Sequence, residues 1–481
     1  MDRHTKIVAT LGPAVASADR IRALVDAGID VARLNFSHMD HAFHGQMADW
    51  VRAAAKATGR NVALLQDVQG PKLRVGTLDD GPLTLSVGAE VGLVASDHAG
   101  GSDIPIDYPP LLEEIETGEE VVLADGMLRL AVTGRDNGRL LARVVVGGTL
   151  LPRKGVAFPN SALQVDAVTV KDVNDLAFGR EIGVDYVAVS FVRRGEEIER
   201  ARSLSGDAPI IAKVELAAAY DNLDEIIATA DGVMVARGDL GVQMPLEQIP
   251  HVQNDILTRA NRAGLLTITA TEMLESMTHS PRPTRAEVTD VATAVLEGTD
   301  AVMLSGETAS GDYPVEAVEA MARICSTAEA SAAPDTRRSL LEVAGQEVAS
   351  AMAHAAVEAA AELEIETIVA FTESGSTARL LSKYRPGGRI VAFTAVPSTR
   401  RRMALYWGVT AHEFERRDFT DHMFAAAEKS LEKDGVCQKG DLVVMVAGIP
   451  PNQRASTNLV KVHEIGERQH GVPSQKGAKR T

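Results

Sequence analysis

The sequence predicts an α/β protein built on a closed (β/α)8 TIM barrel, and three observations carry that prediction. Eight short apolar runs recur between residues 7 and 304, each ending in polar or charged side chains. Helix-like patterns separate most of them, which marks a parallel sheet. A long stretch of β character divides the third run from the fourth, and a second strand–helix alternation begins near residue 341. The expected organisation is a first barrel part over 1–71, an inserted small β-barrel domain over 72–155 and a second barrel part over 156–340. A C-terminal doubly wound α/β domain follows over 341–468, with a mobile tail over 469–481.

In chain order the runs are Ile7–Thr10, Val31–Asn35, Val62–Leu65, Tyr186–Ser190, Ile210–Lys213, Val233–Ala236, Leu266–Ala270 and Ala301–Leu304. Stretches such as Arg20–Val25 and Glu287–Ala292 carry the helical period between them. Within the insertion, Asp79-Asp80-Gly81, Asp136-Asn137-Gly138 and Gly147-Gly148 are hairpin signals. An insertion above a barrel mouth can serve as a lid. Past residue 340, an Ala-rich helix over Glu347–Leu363 leads to strands expected at Thr367–Phe371, Ile390–Phe393, Leu442–Val446 and Leu459–Val462.

The formal charge of −17, from 49 basic and 66 acidic residues, disfavours nucleic acid or an anionic membrane as partner. The two cysteines, Cys325 and Cys437, make neither a disulfide framework nor a thiolate metal site. The first residues lack the apolar core of a signal peptide, and no apolar run approaches the roughly 20 residues of a membrane span. A soluble cytoplasmic protein is expected.

In such barrels chemistry sits at the C-terminal strand ends. Here those ends carry Thr10, Asn35, Asp67, Ser190, Lys213, Glu215, Asp239, Thr271 and Glu307. Alternation puts Lys213 and Glu215 on one side of a strand end. The pair suits a phosphoryl group and a divalent metal, and an internal ion pair would use the same two residues. Asp239 is a second hard oxygen donor, and few protein ligands with water completing the shell is the Mg2+ pattern. A tight turn at Gly238-Asp239 would free two amides for a carboxylate, whereas a capped turn into a helix reads equally from these residues. Thr271 offers a hydroxyl before what reads as an acidic helix start, a common N-cap position. Arg33, Asn35 and Ser37 alternate toward one side, and Arg33 suits bidentate phosphate binding. His38 reads as structural or exposed. Two carboxylates, a Lys and several Arg without a nucleophile–base pair favour phosphoryl transfer by positioning and charge neutralisation.

Together these motifs resemble the pyruvate kinase family. Ala9–Pro13, Arg33–His38, Gly70-Pro71-Lys72-Leu73-Arg74, Lys154-Gly155-Val156, Lys213-Val214-Glu215, Ala236–Gly241, Ala270–Met277, Pro283–Glu287 and Leu304–Ala309 stand in family order, over nearly the whole chain to about residue 467. The resemblance implies transfer of the phosphoryl group of phosphoenolpyruvate to ADP, giving ATP and pyruvate in the last step of glycolysis. It implies that Lys213 and Arg33 hold the phosphoryl group, and that Glu215 and Asp239 bind Mg2+, with Mn2+ as a substitute. The Gly238 and Asp239 amides with the Thr271 hydroxyl would take the substrate carboxylate. Asn35, Ser37, His38, Arg74 and Lys154 would contact the nucleotide. A homotetramer is the family's form.

The chain departs from the family's common pattern at Asp67-Val68-Gln69-Gly70-Pro71-Lys72. The common form has Thr at position 68 and Glu at position 72, and its residues at 35, 37, 67 and 68 bind K+. Lys72 in the Glu position resembles the branch that needs no K+, so its ammonium is expected to supply that charge; a surface Lys paired to an acid is the plainer reading. Met39, Leu216 and Glu272 replace a usual Gly, polar residue and Gln. In the C-terminal domain, Thr372, Ser374, Gly375, Ser376 and Thr377 resemble the family loop for a phosphorylated effector, and a helix cap would look the same. The later Gly448–Asn458 segment departs from the family's Gly-rich version. Two other activities fit parts of the pattern: a Mg2+-dependent carbon–carbon lyase working through a pyruvate enolate, and a non-catalytic sugar-phosphate sensor.

Overall fold

The computed structural model describes residues 3–161, 163–331, 341–417, 419–449 and 457–467. The expected tail, and most of the Gly448–Asn458 segment, lie outside the described residues. The chain divides into two units, residues 1–333 and 334–481.

In the first unit eight parallel strands close into a barrel: Lys6–Leu11, Val31–Asn35, Ala63–Val68, Tyr186–Val189, Ile210–Val214, Gly232–Ala236, Leu266–Ala270 and Ala301–Leu304. Closure comes from the first strand pairing the eighth, Lys6 opposite Ala301. All six residues of Lys6–Leu11 and of Ala63–Val68 are buried. Such strands are covered on both faces, which is why they read as continuous apolar runs without alternation. The helices between them carry their own punctuation. Ser17 caps Ala18–Ala27 by accepting the Arg20 amide, and Asp40 caps His41–Thr58 by accepting the Phe43 amide. Thr169–Asp172 and Thr284–Glu287 form capping boxes. The outer face of one side of the barrel packs Ile7, Leu24, Val51, Met277, Val291 and Met321 into one cluster. Each such fully buried side chain is worth about 1.5–3 kcal/mol against exposure.

The insertion forms a six-stranded sheet and two two-stranded ones. Isolated bridges from Arg74 to Gly155 and from Val75 to Ile106 stitch the sheet's two edges together, so the expected small barrel is closed by single residues. Only one of the three hairpin signals joins neighbouring strands: Asn137 (φ 49°) and Gly138 (φ 79°) link Leu128–Asp136 to Arg139–Val146. After Asp79-Asp80-Gly81, Leu83–Leu85 pairs instead with Gly148–Leu150, while Thr77–Leu78 pairs with His98–Ala99. Turn residues specify local backbone, and burial of side chains decided which strands met. Val156–Ala157, just past residue 155, still pairs with the insertion's Glu120–Leu123.

The second unit holds a five-stranded sheet in the order Val409–Glu413, Arg389–Thr394, Thr367–Phe371, Leu442–Ala447, Leu459–Glu464. The first four are parallel and the last runs antiparallel. Val409–Glu413 escaped the sequence reading because it is an edge strand, alternately buried and exposed, with Thr410, His412 and Glu413 breaking its apolar pattern.

Candidate active site at the barrel mouth

The third strand delivers Asp67 to the barrel's C-terminal rim, where it is buried. Arg33 from the second strand donates Nε to Asp67 Oδ2 (2.7 Å) and Nη1 to Thr10 Oγ1 (2.9 Å). Lys213 Nζ donates to Ser190 Oγ (2.7 Å) and lies 3.4 Å from Asp67 Oδ1 and 3.2 Å from Glu215 Oε2. Glu215 is fully buried, and its Oε1 accepts the Phe191 amide at 2.6 Å. Thr10, Arg33, Asp67, Ser190, Lys213 and Glu215 therefore make one connected chain of polar groups around five strand ends.

Their ionisation is interdependent. Burial works against the Asp67 charge, yet the Arg33 and Lys213 cations outweigh it and hold the carboxyl below its ordinary range. Burial likewise disfavours the Lys213 ammonium, but Asp67 and Glu215 keep it charged and raise its pKa. Glu215 is pushed up to about 7 by burial, Lys213 opposing and the Asp239 charge adding to the shift. Its Oε2 accepts no hydrogen bond among the described residues despite its nearness to Lys213. A buried carboxylate oxygen without a donor, in the field of a second carboxylate, is a chemically sound place for a divalent cation with few protein ligands. Among the described residues no group of three or more His, Cys, Asp and Glu is placed to hold a metal.

Of the two readings of Gly238-Asp239, the backbone takes the helical one. Arg237–Gln243 is a helix that starts directly after the sixth strand, so Gly238-Asp239 is a helical first turn rather than a free tight turn. The Gly238 amide already donates to Thr271 Oγ1 at 2.7 Å. Thr271 is not an N-cap: it and Glu272 have φ of 70° and 54°, and only a 3-10 turn, Glu275–Thr278, follows. Left-handed backbone at a β-branched residue is costly and needs outside support. Arg237 supplies it, donating Nη2 to the Thr271 carbonyl (2.7 Å) while Nη1 pairs with Asp290 (2.6 Å). Glu307 proves to be scaffold, its oxygens taking the Leu274 and Ser305 amides.

Lys72 does not join Asp67. Its ammonium sits between Asp239 (3.6 Å) on the barrel and Asp125 (3.7 Å) on the insertion. Ala124 and Asp125 both have positive φ, and a Cβ on Gly155 would fall 2.8 Å from Asp125 Oδ1, so glycine is what lets that carboxylate approach. Of the remaining expected residues, Asn35, Ser37 and His38 lie at or just past the second strand's end, while Arg74 and Lys154 stand where the insertion leaves and rejoins the barrel. Asn35 Oδ1 accepts the Ser37 amide (3.1 Å), Ser37 lying in the turn beyond the strand. His38 is lowered in pKa by burial and by Arg74, Arg33 and Lys72, so these cations share its surroundings. Arg74 donates to the Arg153 carbonyl (3.1 Å), and Lys154 is exposed, its carbonyl taking the Val75 amide. Met39 has φ 62°, which explains a usual glycine at that position. Residue-by-residue reading missed Ser190 as the Lys213 partner, Arg237 as the brace of Thr271, and Asp125; no local motif marks any of them.

In the second unit, Gly375 (φ 90°) precedes the helix Ser376–Lys383 and its amide donates to Thr372 Oγ1. Ser374 Oγ accepts the Ser376 amide, Ser376 Oγ donates to Gln346, and Thr377 bonds Thr457 at 2.7 Å.

A closed parallel barrel whose rim gathers a buried Lys, an Arg and paired carboxylates without a nucleophile–base pair defines a phosphotransferase-type site. Family models agree: pyruvate kinase, barrel domain, matches residues 2–318, and pyruvate kinase, alpha/beta domain, matches residues 350–463. A pyruvate kinase of Geobacillus stearothermophilus is 42% identical over 476 residues, spanning 97% of this chain and 81% of the relative. One of Mycobacterium intracellulare is 42% identical over 480 residues, spanning 97% and 99%. The crystal structure of a pyruvate kinase from Cryptosporidium parvum superposes with a TM-score of 0.88 at 33% identity, over 96% of each chain. The chain belongs to the pyruvate kinase family, and its function is that of this phosphotransferase. The lyase reading has no support among these relatives.

Proposed function

We propose that the barrel mouth moves the phosphoryl group of phosphoenolpyruvate to ADP with Mg2+, for which Mn2+ can substitute, and without K+. The observation that carries this reading is the Arg33–Asp67–Lys213–Glu215 chain with its donor-less Glu215 oxygen. Arg33 and Lys213 hold the phosphoryl group, whose charge spreads over its equatorial oxygens as it moves. Glu215 and Asp239 would hold the divalent cation, which would supply positive charge against the anionic substrates. The Gly238 amide and Thr271 hydroxyl bond each other here and would turn to the substrate carboxylate on binding. Asn35, Ser37, His38, Arg74 and Lys154 receive ADP, Lys154 and Arg74 arriving with the lid hinges.

Two observations support K+ independence. Val68 is wholly buried in an apolar cluster, has no side-chain oxygen to offer a cation, and its carbonyl already accepts the Ser190 hydroxyl (2.7 Å). Lys72 carries a fixed ammonium beside Asp239. Pyruvate formation measured with a bulky organic cation in place of K+ should equal that with K+; strong K+ activation would overturn this part. The same assay tests the whole reading, since a sugar-phosphate sensor or a lyase makes no pyruvate dependent on ADP. A cytoplasmic homotetramer, regulated by a phosphorylated effector at Thr372, Ser374, Gly375, Ser376 and Thr377, completes the proposal.

A further inference from the structure

The loop Asn35-Phe36-Ser37-His38 bears three of the residues assigned to the nucleotide, yet few of its bonds come from its own strand. Its Phe36 amide donates to the Asp67 carbonyl (2.9 Å), and its Phe36 carbonyl accepts Lys171 Nζ at 2.7 Å. Lys171 comes from the first turn of Val170–Glu181, the helix that follows the lid's return to the barrel. Its ammonium is fixed by Asp175 Oδ2 (2.6 Å), and Asp175, nearly buried, also meets His41 Nε2 at 2.7 Å. The Asp175 carbonyl takes Gln66 Nε2 (2.6 Å), so the helix is tied to the third strand as well. One residue on, Asp172 is buried and accepts the Gly70 amide (3.3 Å) at the lid's first hinge. A second brace comes from His44, which donates Nε2 to the His38 carbonyl (2.9 Å) while its ring stacks on Phe36 at 4.2 Å.

The first turn of one helix thus touches the nucleotide loop through Lys171 and a lid hinge through Asp172. We infer that Lys171 is a positioning residue for the nucleotide: through the Phe36 carbonyl it holds Asn35, Ser37 and His38 in the geometry that receives ADP. The inference rests on the assignment of that loop to ADP. A charged donor on a carbonyl makes the stiffer kind of hydrogen bond, and a loop held this way loses little entropy when ligand arrives. The Lys171 side chain is 49% exposed, so truncating it opens no core cavity.

Lys171→Met should raise KM for ADP about tenfold, the factor that loss of one charge-assisted hydrogen bond commands. KM for phosphoenolpyruvate should stay near wild type. The melting temperature should fall, because among the described residues buried Asp175 then keeps only His41 as a side-chain partner, and Lys171→Arg should recover most of both losses. A merely structural lysine would lower the melting temperature while leaving KM for ADP unchanged or moving both KM values together, and either result overturns the inference. His38→Ala is the reference for the underlying assignment. If it raises KM for ADP while Lys171→Met does not, the positioning role fails alone; if neither variant moves KM for ADP, the loop is not the nucleotide site and both fail.

Discussion

At the scale of single residues, the site is organised by conflict between burial and charge. Burial opposes the charge on Asp67 and Lys213, yet Arg33, Lys213 and the neighbouring carboxylates keep both charged. At Glu215, by contrast, burial and the Asp239 and Asp67 charges outweigh Lys213 and push its pKa up to about 7. Thr271 shows the same economy in backbone geometry. Its left-handed conformation aims the hydroxyl at the Gly238 amide, and Arg237 holds the carbonyl behind it. Thr271→Ala removes the hydroxyl and leaves the Gly238 amide without that partner. Its KM for phosphoenolpyruvate should rise roughly tenfold, with KM for ADP little changed. Equal KM values for both substrates in variant and wild type would remove Thr271 from the carboxylate site. The Lys72 ammonium bridges two acids across the lid boundary, Asp239 on the barrel and Asp125 on the insertion, and only the first of these lies among the residues that the sequence had marked.

At the scale of elements, what was legible depended on how local the signal is. The eight barrel strands were visible because burial on both faces leaves unbroken apolar runs, and their ends matched to within a few residues. Helix starts were legible where a side chain caps its own backbone, as at Thr284, whose hydroxyl accepts the Glu287 amide. Thr284→Ala should cost about 1 kcal/mol of stability, readable in denaturant titration, with activity unchanged; no loss would mean the exposed cap is idle. Illegible features depend on partners distant in sequence. The Gly81 turn looked like a hairpin and is not one, because its flanking strands find mates far along the chain. Thr271 looked like a helix cap, and Arg237 bends it otherwise. The Gly238-Asp239 stretch read either as a free turn or as a turn into a helix, and its residues belong to the helix Arg237–Gln243.

At the scale of the whole molecule, the barrel's rim carries chemistry and its opposite end carries stability. There Asp30 accepts Arg3 at 2.8 Å and the Ile7 amide at 2.9 Å, tying the second strand's approach to the first strand. Burial opposes its charge, but Arg3 and Lys6 prevail and hold its pKa below the ordinary value near 3.9. A carboxyl depressed in the folded state contributes stability that is complete above its unfolded pKa and lost as pH falls through its folded one. Asp30→Asn should therefore destabilise the protein by roughly 3 kcal/mol at neutral pH and flatten the loss of stability between about pH 4 and pH 2. An unchanged acid-unfolding profile would show that other carboxylates dominate it. The resemblance to pyruvate kinases reached from motifs matched the family models over both units, because the motifs sit at strand ends and keep their order along the chain. Which helix braces which loop was not written in those motifs, and Lys171 surfaced only from coordinates.

In the proposed function, phosphoryl transfer takes place over Lys213. Steady-state pyruvate formation by Lys213→Met, with phosphoenolpyruvate, ADP and Mg2+ at saturation, tests it most directly. The variant's kcat should fall about 10³-fold, with KM for phosphoenolpyruvate within a few fold of wild type. Turnover near wild type would contradict it.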